Sequence, residues 1–476
     1  MSVKVGQAAE APSFPKAARS MLGNTQVRHN VRHATDMIRA RRAHAVAETP
    51  DWQQLRDSAR AIKNHVLRHL EAYLEQFETA CTTAGGKVHW ASDADEANST
   101  VIDIIRSHGA SEVIKVKTMT SDETALNPAL EAAGITPVET DLADLIIQLG
   151  ADKPSHIVVP ALHRNRAEIR RLFMEKMQLP DLGERAEDLT AAARRYLRER
   201  FLRARVGLSG ANFAIAESGS LCVVESEGNG RMCVTLPKVL ISLVGIEKIV
   251  PTFGDLEVFL QLLARSATGE RMNPYNSIWT GVTPGDGPEE FHVVLLDNGR
   301  TDVLADEESR ATLNCIRCGA CLNICPVYRQ TGGHAYGSIY AGPIGAILTP
   351  QLQGMRHSQS LPYASTLCGA CYEVCPVQID IPEILLHLRK KVVKGHGASL
   401  AERLGMKVAA RVFSSGGCLE SAQKLVRIAQ KPFAADGVIE RLPGGLAGWT
   451  RFRDLPEVPA ESFRQWWAKR QRKETP

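Results

Sequence analysis

Cys315-Ile-Arg-Cys318-Gly-Ala-Cys321-Leu-Asn-Ile-Cys325-Pro326 and Cys368-Gly-Ala-Cys371-Tyr-Glu-Val-Cys375-Pro376 hold seven of the eleven cysteines in the chain. The first run has the spacing in which three thiolates grip one iron–sulfur cubane and the fourth reaches another. Residues three apart on a tight turn aim Cys315, Cys318 and Cys321 at one small volume. The longer gap turns Cys325 away, and Pro326 ends the turn by removing a backbone donor. The second run lacks its first cysteine, because Ser365 stands three residues before Cys368. In the interleaved pairing, cluster one uses Cys315, Cys318, Cys321 and Cys375. Cluster two uses Cys325, Cys368 and Cys371 and is one thiolate short.

Zinc is the competing use of C-x-x-C pairs. Two zinc ions want eight ligands in two separable fours, and cysteines in three-plus-one order, each run closed by Cys-Pro, do not supply them. The iron without a cysteine is open to Ser365, His334 or His357, to a three-iron cluster, or to the hydroxyl and carboxylate of a 2-hydroxy acid. Cys81, Cys222, Cys233 and Cys418 have no ligand spacing and read as small hydrophobes.

Outward from the cysteines the chain is that of a globular protein. Of its 476 residues 44% are hydrophobic and 23% charged, enough for two or three domains. A net charge of +4 gives no footprint for nucleic acid. The first residues, MSVKVGQAAEAPSFPKAARS, show no apolar signal region. Val239 to Val250 is apolar but is broken by Glu247-Lys248 and too short to span a bilayer. Free thiols with oxygen-sensitive clusters imply a reducing cytoplasm.

Residues 1–60 read as helices rich in cations (Arg28, Arg32, Arg39, Arg41, Arg42), a solvated face or a docking surface. A three-and-four apolar pattern from Trp52 to Phe77 predicts one amphipathic helix over 51–82 that stops near Gly85-Gly86. From there to about Asp297, strands are expected at Val88–Trp90, Val113–Val116, Ile157–Val159, Ser220–Glu225, Lys248–Val250 and His292–Leu296. Helices are expected at Asp93–His108, Thr124–Ala133, Leu142–Leu149 and Ala167–Met177. This alternation predicts an α/β layer with a largely parallel sheet. Ligands of such sheets sit beyond the carboxyl ends of strands. Lys115 to Thr118, His156 with Pro160 to Arg164, and Ala216 to Ser220 would there form an anion pocket, or else are surface cations and a turn. Between the cysteine runs, GGHAYGSIYAGPIGAILTP (Gly332–Pro350) predicts irregular backbone wrapped around a cluster. A helix is expected from Ile381-Pro382-Glu383 to Lys391. Beyond it come helices at Leu400–Ala410 and Leu419–Gln430, and a terminal FRQWWAKRQRK whose Trp466-Trp467 docks on a partner or membrane surface, or packs back.

These residues carry a resemblance. Cys315 to Tyr328, the Gly332–Pro350 connection and Leu367 to Pro376, with Ala216-Glu-Ser-Gly-Ser220 upstream, resemble the lactate-utilisation iron–sulfur proteins of the LutB type over nearly the full chain. The resemblance implies an α/β N-terminal LUD domain, similar to the NagB/RpiA/CoA-transferase group, a mostly α-helical two-cluster ferredoxin domain, and a helical C-terminal tail. The boundaries expected are 1–60 for a helical extension, 61–300 for the LUD domain, 301–394 for the 4Fe-4S domain and 395–476 for the tail. It also implies two 4Fe-4S clusters in an electron-transfer subunit. That subunit works with two companions, of the LutA and LutC types, to oxidise L-lactate to pyruvate. Any membrane contact is peripheral. The alternative of a different class is a LUD-domain transferase or isomerase with structural or sensing clusters, in which Glu217 is the nucleophile or base.

Overall fold

The computed structural model describes residues 12–395 and 400–474, and the chain divides into two compact units between Val392 and Val393. Among its described residues the first unit holds ten strands: β1 (Lys87–Ala91), β2 (Glu112–Lys115), β3 (Thr136–Glu139), β4 (Val206–Ser209), β5 (Phe213–Ile215), β6 (Ser220–Glu225), β7 (Val239–Gly245), β8 (Ile249–Val250), β9 (Tyr275–Trp279) and β10 (Glu290–Leu296). Six of them form one sheet in the order β1-β10-β7-β4-β2-β3, parallel throughout.

Strand β7, Val-Leu-Ile-Ser-Leu-Val-Gly, is buried along its whole length, as a central parallel strand covered on both faces must be. The two-residue period of a strand divides its side chains between the layers. Leu240 joins Val293 in a core with Leu74 and Phe77 of the helix Leu70–Thr83. Ile241 and Val294 face the opposite way, against Val101 and Ile105 of the helix Ala94–Ser107. The N-terminal part is therefore a mixed α/β layer structure built on a parallel sheet. A second sheet, β8-β5-β6-β9, is largely antiparallel.

Several expectations are corrected. Ile157–Val159 is not a strand, because His156 Nδ1 accepts the N–H groups of Val158 (3.0 Å) and Val159 (3.1 Å) and holds them in a turn. The helix expected over 51–82 is two, Trp52–Arg68 and Leu70–Thr83, separated at His69 (φ −121°, ψ 33°). The Gly332–Pro350 connection is irregular only in its first half. Pro343 opens a buried helix, Gly342–Leu352, that carries Pro350 inside it.

The N-terminal helices, from Phe14–Leu22 to Trp52–Arg68, serve the cysteine arms. Val27, Val31 and Ala59 lie in one hydrophobic core with Cys318, Cys321, Cys325, Cys371, Cys375, Tyr328 and Ile344. Asn24 starts the helix Thr25–Ala47 by accepting from Val27 N–H at 3.0 Å, which sets that apolar stripe over the arms.

The turn Ala216–Ser220 owes its glycine to packing. Gly219 has φ +64°, and a Cβ there would lie 2.1 Å from the backbone nitrogen of Cys81. Gly219→Ala is expected to destabilise the fold by roughly 2–4 kcal/mol through strain and overpacking. Gly285→Ala, at φ +82° with open space around it, is the control and should cost about 1 kcal/mol. Comparison of the two thermal midpoints checks this; equal losses would remove the close-approach argument.

The second unit contains helices Leu400–Phe413 and Gly416–Ala429, a short antiparallel pair (Val438–Ile439 with Leu455–Pro456), and the helix Phe463–Glu474. Phe463, Trp466 and Trp467 cluster with centroids 5.6–6.0 Å apart, Phe463 stacked on Trp467 and Trp466 tilted against both. No helix among the described residues is long and apolar enough to cross a membrane.

Candidate metal centres

The two cysteine arms repeat one local geometry. Arg317 (φ +62°) precedes Cys318 and Leu367 (φ +55°) precedes Cys368, both in the left-handed region. Gly319 (φ +74°) and Gly369 (φ +83°) then start the short helices Ala320–Ile324 and Ala370–Glu373. Non-glycine residues held at positive φ are concentrated at sites where surrounding structure over-determines the backbone. Alternating left- and right-handed residues also turn successive N–H groups toward one volume. Here those donors meet sulfur: Arg317 N–H to Cys315 Sγ (3.4 Å), Tyr328 N–H to Cys325 Sγ (3.5 Å) and Ile379 N–H to Cys375 Sγ (3.3 Å).

Cys318, Cys321, Cys325, Cys371 and Cys375 are buried, Cys315 is half-buried and Cys368 is exposed. Burial raises the Cys318 thiol, and Cys375 and Cys315 add to the effect. Cys321 is raised well above the ordinary thiol range by burial, then by Cys315, Cys318, Cys371 and Cys375. Cys371 is pushed up to about 12 by burial, then by Cys325 and Cys368. Cys375 is pushed up to about 11 by burial, opposed by the Ile379 N–H and reinforced by Cys315. Two electrostatic neighbourhoods result: Cys315, Cys318, Cys321 and Cys375 in one, and Cys325, Cys368 and Cys371 in the other, with Cys321 and Cys371 adjoining.

Buried thiols that repel each other's ionisation need a cation among them to become thiolates. The all-sulfur donor set, the absence of disulfides among the described cysteines and the N–H donors fit iron–sulfur clusters. Of the candidates for the open iron, Ser365 Oγ accepts from Leu367 N–H at 3.1 Å. His334 Nε2 is 2.8 Å from Lys153 O, and His357 is exposed.

Sequence reasoning missed what surrounds these thiols. Arg42 donates to Val374 O (3.0 Å) and Arg56 to Cys375 O (3.0 Å), so part of the N-terminal cation run clasps the second arm. Arg32 and Arg41 remain exposed. Beneath the first arm, just beyond the carboxyl ends of β7 and β10, lies a buried ion network. Arg300 is bidentate to Glu123 (2.8 and 3.0 Å) and also bonds Glu247; Arg317 reaches Glu247 at 3.2 Å; Tyr340 donates to Glu123 at 2.7 Å. The charged pair Glu247-Lys248 interrupting an apolar run was the signal for it.

The loops expected to form an anion pocket spend their charges on protein groups. Lys115 is buried against Glu139 (2.5 Å) and Lys117 against Asp144 (3.3 Å). His156 contacts Asn323 Oδ1 at 3.1 Å, and burial pushes its ring down to about 4. His163 and Arg164 both hold Asp152. Glu217 is exposed and accepts from Phe253 N–H (2.7 Å), capping the helix Phe253–Ala267.

With the geometry in place, three known families match successive parts of the chain: the LUD domain at residues 74–296, the 4Fe-4S dicluster domain at 311–379, and the C-terminal domain of lactate utilisation protein B at 387–472. Lactate utilization protein B of Bacillus licheniformis is 43% identical over 477 residues, covering 99% of each chain. The chain belongs to the lactate utilization protein B family. The Bacillus subtilis member is 42% identical over 479 residues, covering 100% of this chain and 99% of its own. An Escherichia coli relative described as an uncharacterized electron transport protein is 42% identical over 477 residues, covering 100% and 99%. The dicluster match makes this an iron–sulfur protein with a 4Fe-4S dicluster domain, and the mostly helical segment around the cysteines is that domain.

Proposed function

We propose that this chain is the iron–sulfur electron-transfer subunit of an assembly that oxidises L-lactate to pyruvate, working with companions of the LutA and LutC types in the cytoplasm. The observation that carries the reading is the gathering of seven thiols into two adjoining neighbourhoods, five of them buried in one core. Cys315, Cys318, Cys321 and Cys375 would hold the first cluster, and Cys325, Cys368 and Cys371 the second. When bound, each cluster accepts and returns single electrons. The protein's own part is to hold the thiolates, supply N–H donors to them and exclude water with the N-terminal helices. Exposed Cys368, against the buried first arm, makes the second cluster the one nearer solvent.

The α/β domain on this reading is of the sugar-phosphate isomerase and CoA-transferase kind, spanning 61–300 before a 301–394 cluster domain and a 395–476 tail. The helices of 1–60 belong functionally to the cluster domain. A transferase using Glu217 finds no support, since that carboxylate is spent on a helix terminus.

The test is anaerobic. Purified chain with both companions and L-lactate is expected to lose its visible cluster absorbance as pyruvate forms. Pyruvate formation at full rate with the clusters still oxidised, electrons trapped elsewhere, sinks the relay.

A further inference from the structure

Three large tyrosines are buried around the cysteine arms, and they are not equivalent. Tyr328 donates its hydroxyl to Ser155 O at 2.7 Å, and Tyr340 donates to Glu123 at 2.7 Å. Tyr336 is equally buried, at 3% exposure, yet its hydroxyl completes no hydrogen bond of normal geometry with any protein group. Buried tyrosine hydroxyls ordinarily find a partner. The groups that act on this one are the Cys325 thiol, then Tyr328 and the Cys321 thiol. Tyr336 lies in the turn His334–Tyr336 of the glycine connection, Phe14 packs on it with ring centroids 4.9 Å apart, and Tyr328 lies 6.4 Å away.

A phenol held in an apolar site beside a sulfur has one polar use, to donate to that sulfur once it is a thiolate. We infer that Tyr336 donates its hydroxyl hydrogen to the Cys325 thiolate of the second cluster and is a positioning residue that raises that cluster's reduction potential. Donation to a ligand sulfur withdraws electron density from the cluster and favours the reduced, more negative state. Cys325 also receives the Tyr328 N–H. Tyr336 shares the same buried core with Cys325 and Cys321. The donor then biases electrons toward the second, more exposed cluster. This rests on Cys325 serving that cluster.

The experiment is a redox titration of the anaerobically purified full chain, followed by electron paramagnetic resonance, for wild type and Tyr336→Phe. The phenylalanine keeps the ring packing. Iron content is expected to stay, while the one-electron reduction constant of the cluster that holds Cys325 falls about tenfold, or about 59 mV. The deuterium-exchange shift of the resonance Raman iron–thiolate stretch should be smaller than in wild type, the Tyr328 N–H alone remaining. Fluorotyrosine at 336, a stronger donor of nearly the same shape, should move the potential the opposite way, and it decides the matter if Tyr336→Phe loses iron. A potential unmoved by either change overturns the donor role. Cys325→Ser reports separately which cluster Cys325 serves. A Tyr336 effect confined to the cluster that Cys325→Ser leaves intact overturns donation to Cys325.

Discussion

Glu247→Gln is expected to cost roughly 3–5 kcal/mol and to release iron from the first cluster, the loss that follows when one partner of a buried ion network is removed. Glu247 is 1% exposed, in the turn Ile246–Lys248 just past the carboxyl end of β7. Its two oxygens are divided between Arg300 and Arg317, and its backbone carbonyl accepts from buried Lys63. Burial alone would raise its pKa, but Arg300, Lys248 and Arg317 overcome that and hold the carboxyl well below the usual range. A depressed carboxylate contributes stability that is fully present above its unfolded pKa, about 4.3, and is lost only as pH falls toward the folded value. The network should therefore stand through mild acid and fail in strong acid. Glutamine keeps the shape but leaves Arg317 a buried cation facing an amide. Arg317 also bears the N–H that donates to Cys315 Sγ, so disorder there reaches a cluster ligand directly. Chemical denaturation together with iron content checks the prediction. A variant within 1 kcal/mol of wild type and fully loaded with iron would show that Arg300 and Glu123 alone anchor the arm.

The parts of this fold that local patterns encode were legible, and the parts that tertiary partners decide were not. The apolar runs of β6 and β10 and the helix Leu142–Leu149 are local, and they fall where expected. Cys-Gly-Ala-Cys occurs twice, at 318–321 and 368–371, and both copies take the same left-handed turn. By contrast Ile157-Val-Val159 has every β-forming side chain a strand needs, and one histidine ring bonding two N–H groups removes it from any sheet. The cation run of Arg28 to Arg42 looks like a solvated face because the carbonyl that Arg42 seeks, Val374, is 332 residues away. The glycine connection read as loop because glycine and proline are helix breakers on average. In Gly342–Leu352, Pro343 sits in the first turn, where it has no hydrogen bond to lose, and the buried helix carries Pro350 in its interior as well. For the site, the candidate thiols were legible in the spacing, while the donors and counter-charges around them, such as Arg42, Arg56, Glu247 and Ile379, come from segments far apart in the sequence.

Cys375→Ser and Cys325→Ser should each remove about half of the bound iron, and on the proposed pairing, in which the last cysteine of each arm serves the other arm's cluster, they should remove different halves. Within-arm pairing makes a contrary prediction: Cys375→Ser and Cys371→Ser would abolish the same electron paramagnetic resonance signal. Electrostatic contact favours the crossing, since Cys375 is felt by Cys318, and Cys325 by Cys371. Local backbone explains how the crossing arises. Cys325 follows the helix Ala320–Ile324 with extended backbone (φ −71°, ψ 120°), so its side chain leaves the helical register that gathers the preceding cysteines. Serine at 375 also keeps the size of the side chain inside a shared core, so loss of iron there reports ligation and not packing. If Cys375→Ser instead spares the first cluster's signal and erases the second's, the arms are autonomous. The burial of both arms in one core would then be a matter of stability alone, with no bearing on how electrons pass between them.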